Sequence, residues 1–246
     1  MKNPHIRFIA SAKRDRETVK AFFKEAKFDN GRNLEWSVFK KYPELRKYYR
    51  NEDNYFNCQK IYNFVNDAYH KKHRVMTNDL KKNKLLWKKK ESGFYRLVSE
   101  LFEGKTWPSG KYIAYGTIWG MYPRFLDTKT FQIPYRHKRT NYIPVIIAHE
   151  MLHFMFYDYF YKRFPKYLNQ EKFSFFNWHV SEIFNSIVQN SKEWVNFFGA
   201  KSMPYPEHKK IISKILNEFS EKNVTDAGSM TDKIIKFVKI ESSSKF

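Results

Sequence analysis

Ile143-Pro144-Val145-Ile146-Ile147-Ala148-His149-Glu150-Met151-Leu152-His153-Phe154-Met155-Phe156 is the stretch from which the rest of the chain can be read. Pro144 suits the first turn of a helix, where its missing N–H costs little. The apolar run behind it predicts a long buried helix, interrupted only by His149, Glu150 and His153. A spacing of four places both imidazoles on one helical face, one above the other, so that their nitrogens can converge on a single Zn2+. Glu150 follows the first histidine and can reach the open side of such a metal, where it would take a proton from an attacking water. At this chain's own His and Glu frequencies, about 0.02 HExxH matches arise by chance. Two imidazoles and a carboxylate in so apolar a helix are costly unless paired or metal-bound. The same groups argue against a membrane span across 143–161, since His149, Glu150, His153 and Asp158 would lie at hydrocarbon depth.

A catalytic zinc needs a third protein ligand and one open position. Downstream candidates are His179, Glu182 and His208. Residues 177–190 predict a second amphipathic helix with Val180, Ile183, Phe184, Ile187 and Val188 as its apolar stripe. His179, Glu182 and Ser186 share a separate face beside it, at spacings of three and four. Glu182, 29 residues after His153, can fold back under the first helix and is the expected third ligand.

An HExxH helix followed by a second helix bearing a lone glutamate resembles the gluzincin branch of the zincin-like metallopeptidases. The resemblance covers residues 111–190 and implies an α+β fold. Its zincin-like core is a short mixed or antiparallel sheet, the HExxH helix and a glutamate-bearing helix, here joined to a helical N-terminal half. It further implies that His149, His153 and Glu182 bind zinc, that Glu150 is the general base, and that the substrate is a peptide or protein. Many members carry an aspartate four residues after the ligand glutamate; here Ser186 stands there, so Asn185, Ser186 or Asp158 is expected to support a ligand histidine instead. The transition-state donor implied by the resemblance is assigned to His179, with Tyr205 next. A substrate-aligning edge strand is expected from 111–126. A zincin that binds peptide without cleaving it would show the same residues.

Around this core the chain reads as one compact unit with three segments: a mainly helical region 1–105, a catalytic core 106–208, and a C-terminal helical segment and tail 209–246. Helices are expected over 18–27, 34–49, 54–70 and from an Asn78-Asp79 cap to about Phe102, stopped by Gly104. Residues 111–120 read as a strand, and 121–126 with 131–135 as a hairpin around Asp127-Thr128-Lys129. A last helix is expected over 209–220.

The 246 residues carry 46 Lys plus Arg against 25 Asp plus Glu, a net charge of +21. Aromatic residues make up 19 %, too many for a disordered basic tail. Cys58 is the only cysteine, which excludes a disulfide scaffold and fits a reducing, cytoplasmic setting. Residues 1–140 hold 32 basic and 14 acidic side chains, whereas 141–200 hold five of each. The densest run, 71–90, contains Lys81, Lys82, Lys88 and Lys89 and could follow a phosphate backbone. The motif HEMLH also resembles the HEMxH form of Spartan-like proteases of DNA–protein crosslinks, but these use a third histidine soon after the motif, and none occurs between His153 and His179. Lysine outnumbers arginine 34 to 12, whereas bidentate base and phosphate contacts favour arginine, so a solvated helix face is preferred over a nucleic-acid site.

Overall fold

The computed structural model describes residues 3–25, 34–50, 55–168, 174–219 and 226–243. It is mostly helical with a small mixed sheet, hence broadly α+β. The chain forms two compact units that interleave in sequence: Pro4–Trp87 with Gly110–Ile143, and Met1–Asn3 with Lys88–Ser109 and Pro144–Phe246. The division at 143/144 runs through the segment 106–208 that the sequence treats as one core.

The first unit holds every described strand. β1 (Ile6–Ala10) leads into α1 (Ala12–Glu25), whose start is capped by the Ser11 hydroxyl accepting from the Arg14 N–H at 3.2 Å. A π-helical turn (Glu35–Phe39) and a 3-10 helix (Pro43–Tyr48) follow, and β2 (Tyr49–Arg50) pairs antiparallel with β3 (Tyr55–Phe56). The helix expected over 34–49 is therefore broken, since Pro43 has no N–H to continue an α-helical ladder. Ala26 and Lys27 of the first expected helix, Asn54 of the third and Ser220 of the last lie outside the described residues.

α2 (Cys58–Lys88) runs for 31 residues where two helices separated at 70–78 were expected. Its buried positions Ile61, Val65, Ala68, Tyr69, Met76, Leu80, Asn83 and Trp87 keep helical spacing throughout, and no Gly or Pro intervenes. Residues 70–75 are more than one turn of a continuous helix, exposed all round except at the half-buried Lys72, rather than a break. Asp79 caps nothing; it is buried and paired with Arg136 at 2.7 Å.

The sheet order is β1-β4-β6-β5, with β4 (Tyr112–Thr117) parallel to both neighbours and β5 (Arg124–Phe125) antiparallel to β6 (Thr130–Pro134). The hairpin around Asp127-Thr128-Lys129 is present, with Lys129 at a φ of 53°. β4 is flanked on both sides, so the strand expected at 111–120 is not an edge; within 111–126 only the two-residue β5 lies at an edge of the sheet, and β1 forms the other edge. The missing partner was β1, in the region read as helical. α2 packs close above β4: a Cβ at Gly116 would lie 2.7 Å from Leu80 Cδ2. Val19, Phe23, Val38, Leu45, Ile61, Val65 and Trp119 form the core beside it.

One buried carboxylate organises this unit. Asp15 accepts from the Tyr69 hydroxyl (2.9 Å), the Ile118 N–H (3.0 Å) and the Gln132 amide (2.6 Å), while its own carbonyl accepts from Trp119 Nε1 (3.0 Å). α1, α2, β6 and the end of β4 thus meet at a single side chain. Burial pushes Asp15 up to about 6, against the lowering pull of those hydrogen bonds.

The second unit is helical: α3 (Glu91–Leu101), α4 (Ile143–Arg163), α5 (Ser174–Asn190), α6 (Lys192–Phe198), α7 (Lys209–Phe219) and α8 (Ala227–Ser243). Glu103 and Gly104, at φ 52° and 72°, end α3 with the Gly104 N–H donating to the Ser99 carbonyl at 2.7 Å. Phe156 lies against Phe160 and Phe184, and Phe102 against Phe184, with ring centroids 4.7–5.8 Å apart. All four rings are fully buried, each contributing about 2 kcal/mol. Met230, Ile234 and Val238 give α8 its buried face. Among the described residues no helix is long and apolar enough to cross a membrane.

Candidate metal centre

α4 carries the motif and α5 supplies what the motif needs. The residues of α5 from Val180 to Gln189 are all buried, including Ser181, Glu182, Asn185, Ser186 and Gln189. Polar side chains at such depth require partners, and α4 provides them for Ser181, Glu182, Asn185 and Gln189. Gln189 donates to the Val145 carbonyl (3.0 Å) and meets His149 Nδ1 (2.8 Å); Asn185 donates to the His149 carbonyl (3.0 Å). Glu182 meets His149 and His153; Tyr157 and Ser181 share a hydroxyl hydrogen bond at 3.0 Å; Asn177 donates to the Tyr167 carbonyl at 3.0 Å. Positions 177, 181, 185 and 189 on one helix face 145, 149, 153 and 157 on the other, two rows of i, i+4 spacing running in opposite directions.

At the middle of this ladder three donor atoms converge. His149 Nε2 lies 3.2 Å from Glu182 Oε2, His153 Nε2 lies 3.3 Å from Glu182 Oε1, and the two Nε2 atoms are 3.2 Å apart. Among the described residues, these are the three His, Cys, Asp or Glu side chains whose donor atoms all fall within 4.8 Å of one another. Ligands about 2.0–2.1 Å from a tetrahedral zinc are separated by about 3.3 Å. The two Nε2 atoms stand about one such edge apart, and each lies a similar distance from a different oxygen of the Glu182 carboxylate.

The hydrogen bonds behind the cluster decide what the facing atoms carry. The Val145 carbonyl can only accept, so it fixes the Gln189 NH2 toward itself and the Gln189 oxygen toward His149 Nδ1. Nδ1 must then carry the proton, which leaves the Nε2 lone pair pointing at the carboxylate and at the second imidazole. That arrangement is repulsive unless a cation occupies it, either a proton or a metal ion. Burial by itself would lower His149; the hydrogen bond and charge of Glu182, with Glu150 and Gln189, overcome this and raise it to about 9. Burial would likewise raise Glu182, but the charge of His153 and the hydrogen bond of His149 hold it well below the ordinary carboxylate value. The donor set and its electrostatics fit a divalent cation.

The structure therefore brings together His149, His153 and Glu182, as expected, with Glu150 buried next to the first ligand. It places other expected residues elsewhere. Asp158 does not support a histidine: five residues beyond His153, it points to the other side of α4 and pairs with Lys162 at 2.7 Å. Nor does Ser186 hold His149, whose Nδ1 is taken by Gln189. Asn185 does contribute, through the His149 backbone carbonyl and not the ring. His179 hydrogen-bonds His208, Nδ1 to Nε2 at 2.6 Å, and Tyr205 packs on Trp178 at 5.1 Å, so all three belong to a neighbouring ring cluster. Lys81, Lys82 and Lys88 lie exposed on α2 and Lys89 just past its end; Lys82 is 3.8 Å from Asp79. Gln189, Ser181 and Tyr157 were not foreseen. The signal was present as the spacing 177-181-185-189 of hydrogen-bonding residues in an otherwise apolar helix. No protein-family model, curated protein or solved structure matches the chain.

Proposed function

We propose that the chain is a zinc-dependent metallopeptidase, with His149, His153 and Glu182 as metal ligands and Glu150 as general base. The observation that carries this reading is the convergence of two imidazole nitrogens 3.2 Å apart on one buried carboxylate, each nitrogen 3.2–3.3 Å from one of its oxygens, around a tautomer fixed from behind by Gln189. Three protein ligands leave a fourth position for chemistry, whereas a structural site is closed by four. Zinc bound there supplies Lewis acidity, polarising a carbonyl and lowering the pKa of water to about 7.

The protein's own residues do the rest. Glu150 is buried, next to a ligand, and its carboxylate takes a proton from the attacking water and passes it to the leaving amine. The α4–α5 ladder holds the ligands without reorganisation during turnover. A peptide bond as the target follows from the gluzincin resemblance of His149, Glu150, His153 and Glu182. Metal analysis of the purified protein should give about one zinc per chain, and a protein that neither holds nor takes up zinc would refute the reading. Glu150→Gln should keep the zinc and lose cleavage by at least about a hundredfold; undiminished cleavage would remove Glu150 from the base role.

A further inference from the structure

We propose that Phe175, Trp178 and Tyr205 form a substrate subsite selecting a large apolar side chain about three residues from the scissile bond. The inference rests on the peptidase reading above. Two large side chains of this ring cluster are exposed: Phe175 by 68 % and Tyr205 by 46 %. Contiguous exposed apolar surface in a folded protein marks a place where something binds.

The rings are held as a set. Phe175 stacks on Trp178 at 5.7 Å between centroids, and Trp178 meets Tyr205 edge-on at 5.1 Å. The His179–His208 hydrogen bond lies against them, with His179 4.2 Å from Phe175 and His208 5.4 Å from Trp178. His208 is itself buried, so the platform is anchored in the helical unit.

Its register relates it to the metal ligands. Phe175, Glu182 and Gln189 are seven residues apart on α5 and share one face, since two helical turns nearly close. Phe175 is thus about 10 Å along the helix from Glu182, the length of about three extended peptide residues. The surroundings set the chemistry of the occupant. In a chain of net charge +21, neither 174–181 nor 202–206 contains a Lys, Arg, Asp or Glu. A Phe, Trp or Leu side chain buries apolar area against these rings.

The test uses the full-length zinc-loaded Glu150→Gln protein, which holds peptide without cutting it. The probes are fluorescein-labelled peptides of Ala, Ser and Gly carrying a single Phe at successive positions. One position should tighten binding by about tenfold over the all-Ala peptide in fluorescence anisotropy. Phe175→Ala should remove that gain without changing affinity for the all-Ala peptide, and Phe175→Leu should restore most of it. Phe175 is exposed, so these variants should fold, checked by an unchanged circular dichroism spectrum. Equal affinity wherever Phe stands, or equal loss for Phe and Ala peptides in Phe175→Ala, would overturn the subsite. So would a wild-type dimer that Phe175→Ala dissociates with no change in peptide preference, for then a second copy covers the rings. Positional preference without any cleavage by wild type would sink the peptidase reading and leave the subsite; cleavage without preference would do the reverse.

Discussion

Gln189 determines which nitrogen of His149 is free, because its amide is oriented by a backbone carbonyl that can only accept. Gln189→Ala should weaken zinc binding by about tenfold to a hundredfold in a chelator-competition titration, while Gln189→Glu, which keeps an acceptor on Nδ1, should retain most of it; equal affinities in all three proteins would show the hydrogen bond to be idle. Asp15 has a different consequence in the other unit. Its proton is held up to about pH 6 in the folded protein but only to about pH 4 in the unfolded chain. Protonated Asp15 therefore favours folding most below pH 4, and that advantage is lost as the pH rises to about 6, up to about 3 kcal/mol. Asp15→Asn keeps one oxygen for Tyr69 and Ile118 and presents an NH2 to Gln132, whose amide can turn its oxygen forward. Urea denaturation from pH 4 to 7 should show the variant gaining on wild type as the pH rises. Parallel profiles would count against the assignment.

The pairing of α4 with α5 is fixed by hydrogen bonds as much as by apolar burial. Asn185 satisfies the carbonyl of His149, the first residue of the candidate metal cluster. Asn185→Ala should cost about 1–3 kcal/mol in chemical denaturation, the usual cost of a buried group left unsatisfied, and a variant as stable as wild type would show that water replaces the amide. The elements themselves were legible where one period governed them: α4, α5 and α7 start and end close to where Pro144, the apolar spacing and the polar breaks place them. Legibility failed where a polar run on a long helix imitates a loop, as at 70–78 in α2, and where a proline interrupts an otherwise helical pattern, as at Pro43. β1 was invisible because five residues with one charge carry no period of their own; the strand exists because β4 offers it a parallel partner 106 residues away.

At the scale of the molecule, a metal ion would act as a cross-link within the helical unit, joining helices whose ligands are 29 residues apart. Removing zinc should lower stability by about 2.7 kcal/mol when the free metal had been a hundred times its dissociation constant, read as a fall in thermal midpoint on chelation; no change would mean the site is empty in the wild type. His149, raised to about 9, holds a proton at neutral pH in the metal-free protein. Zinc must displace it, so calorimetric titrations at pH 7 in buffers of different ionisation heat should report release of about one proton per metal; none released would mean that no proton occupies the cluster. The +21 charge lies elsewhere, chiefly on residues 1–140, and describes the surface rather than the chemistry. By itself the sequence determined the helix that presents His149, Glu150 and His153, and pointed to Glu182, because those facts are periodicities within single elements. Only the tertiary structure decided that Gln189 sets the tautomer, that Asp158 faces away, that β1 completes the sheet and that Asp15 sits under four elements. A buried polar side chain and a solvated one are the same letter in a sequence, and what separates them is the neighbour that packing brings, 40 residues away for His149 and Gln189 and 117 for Asp15 and Gln132.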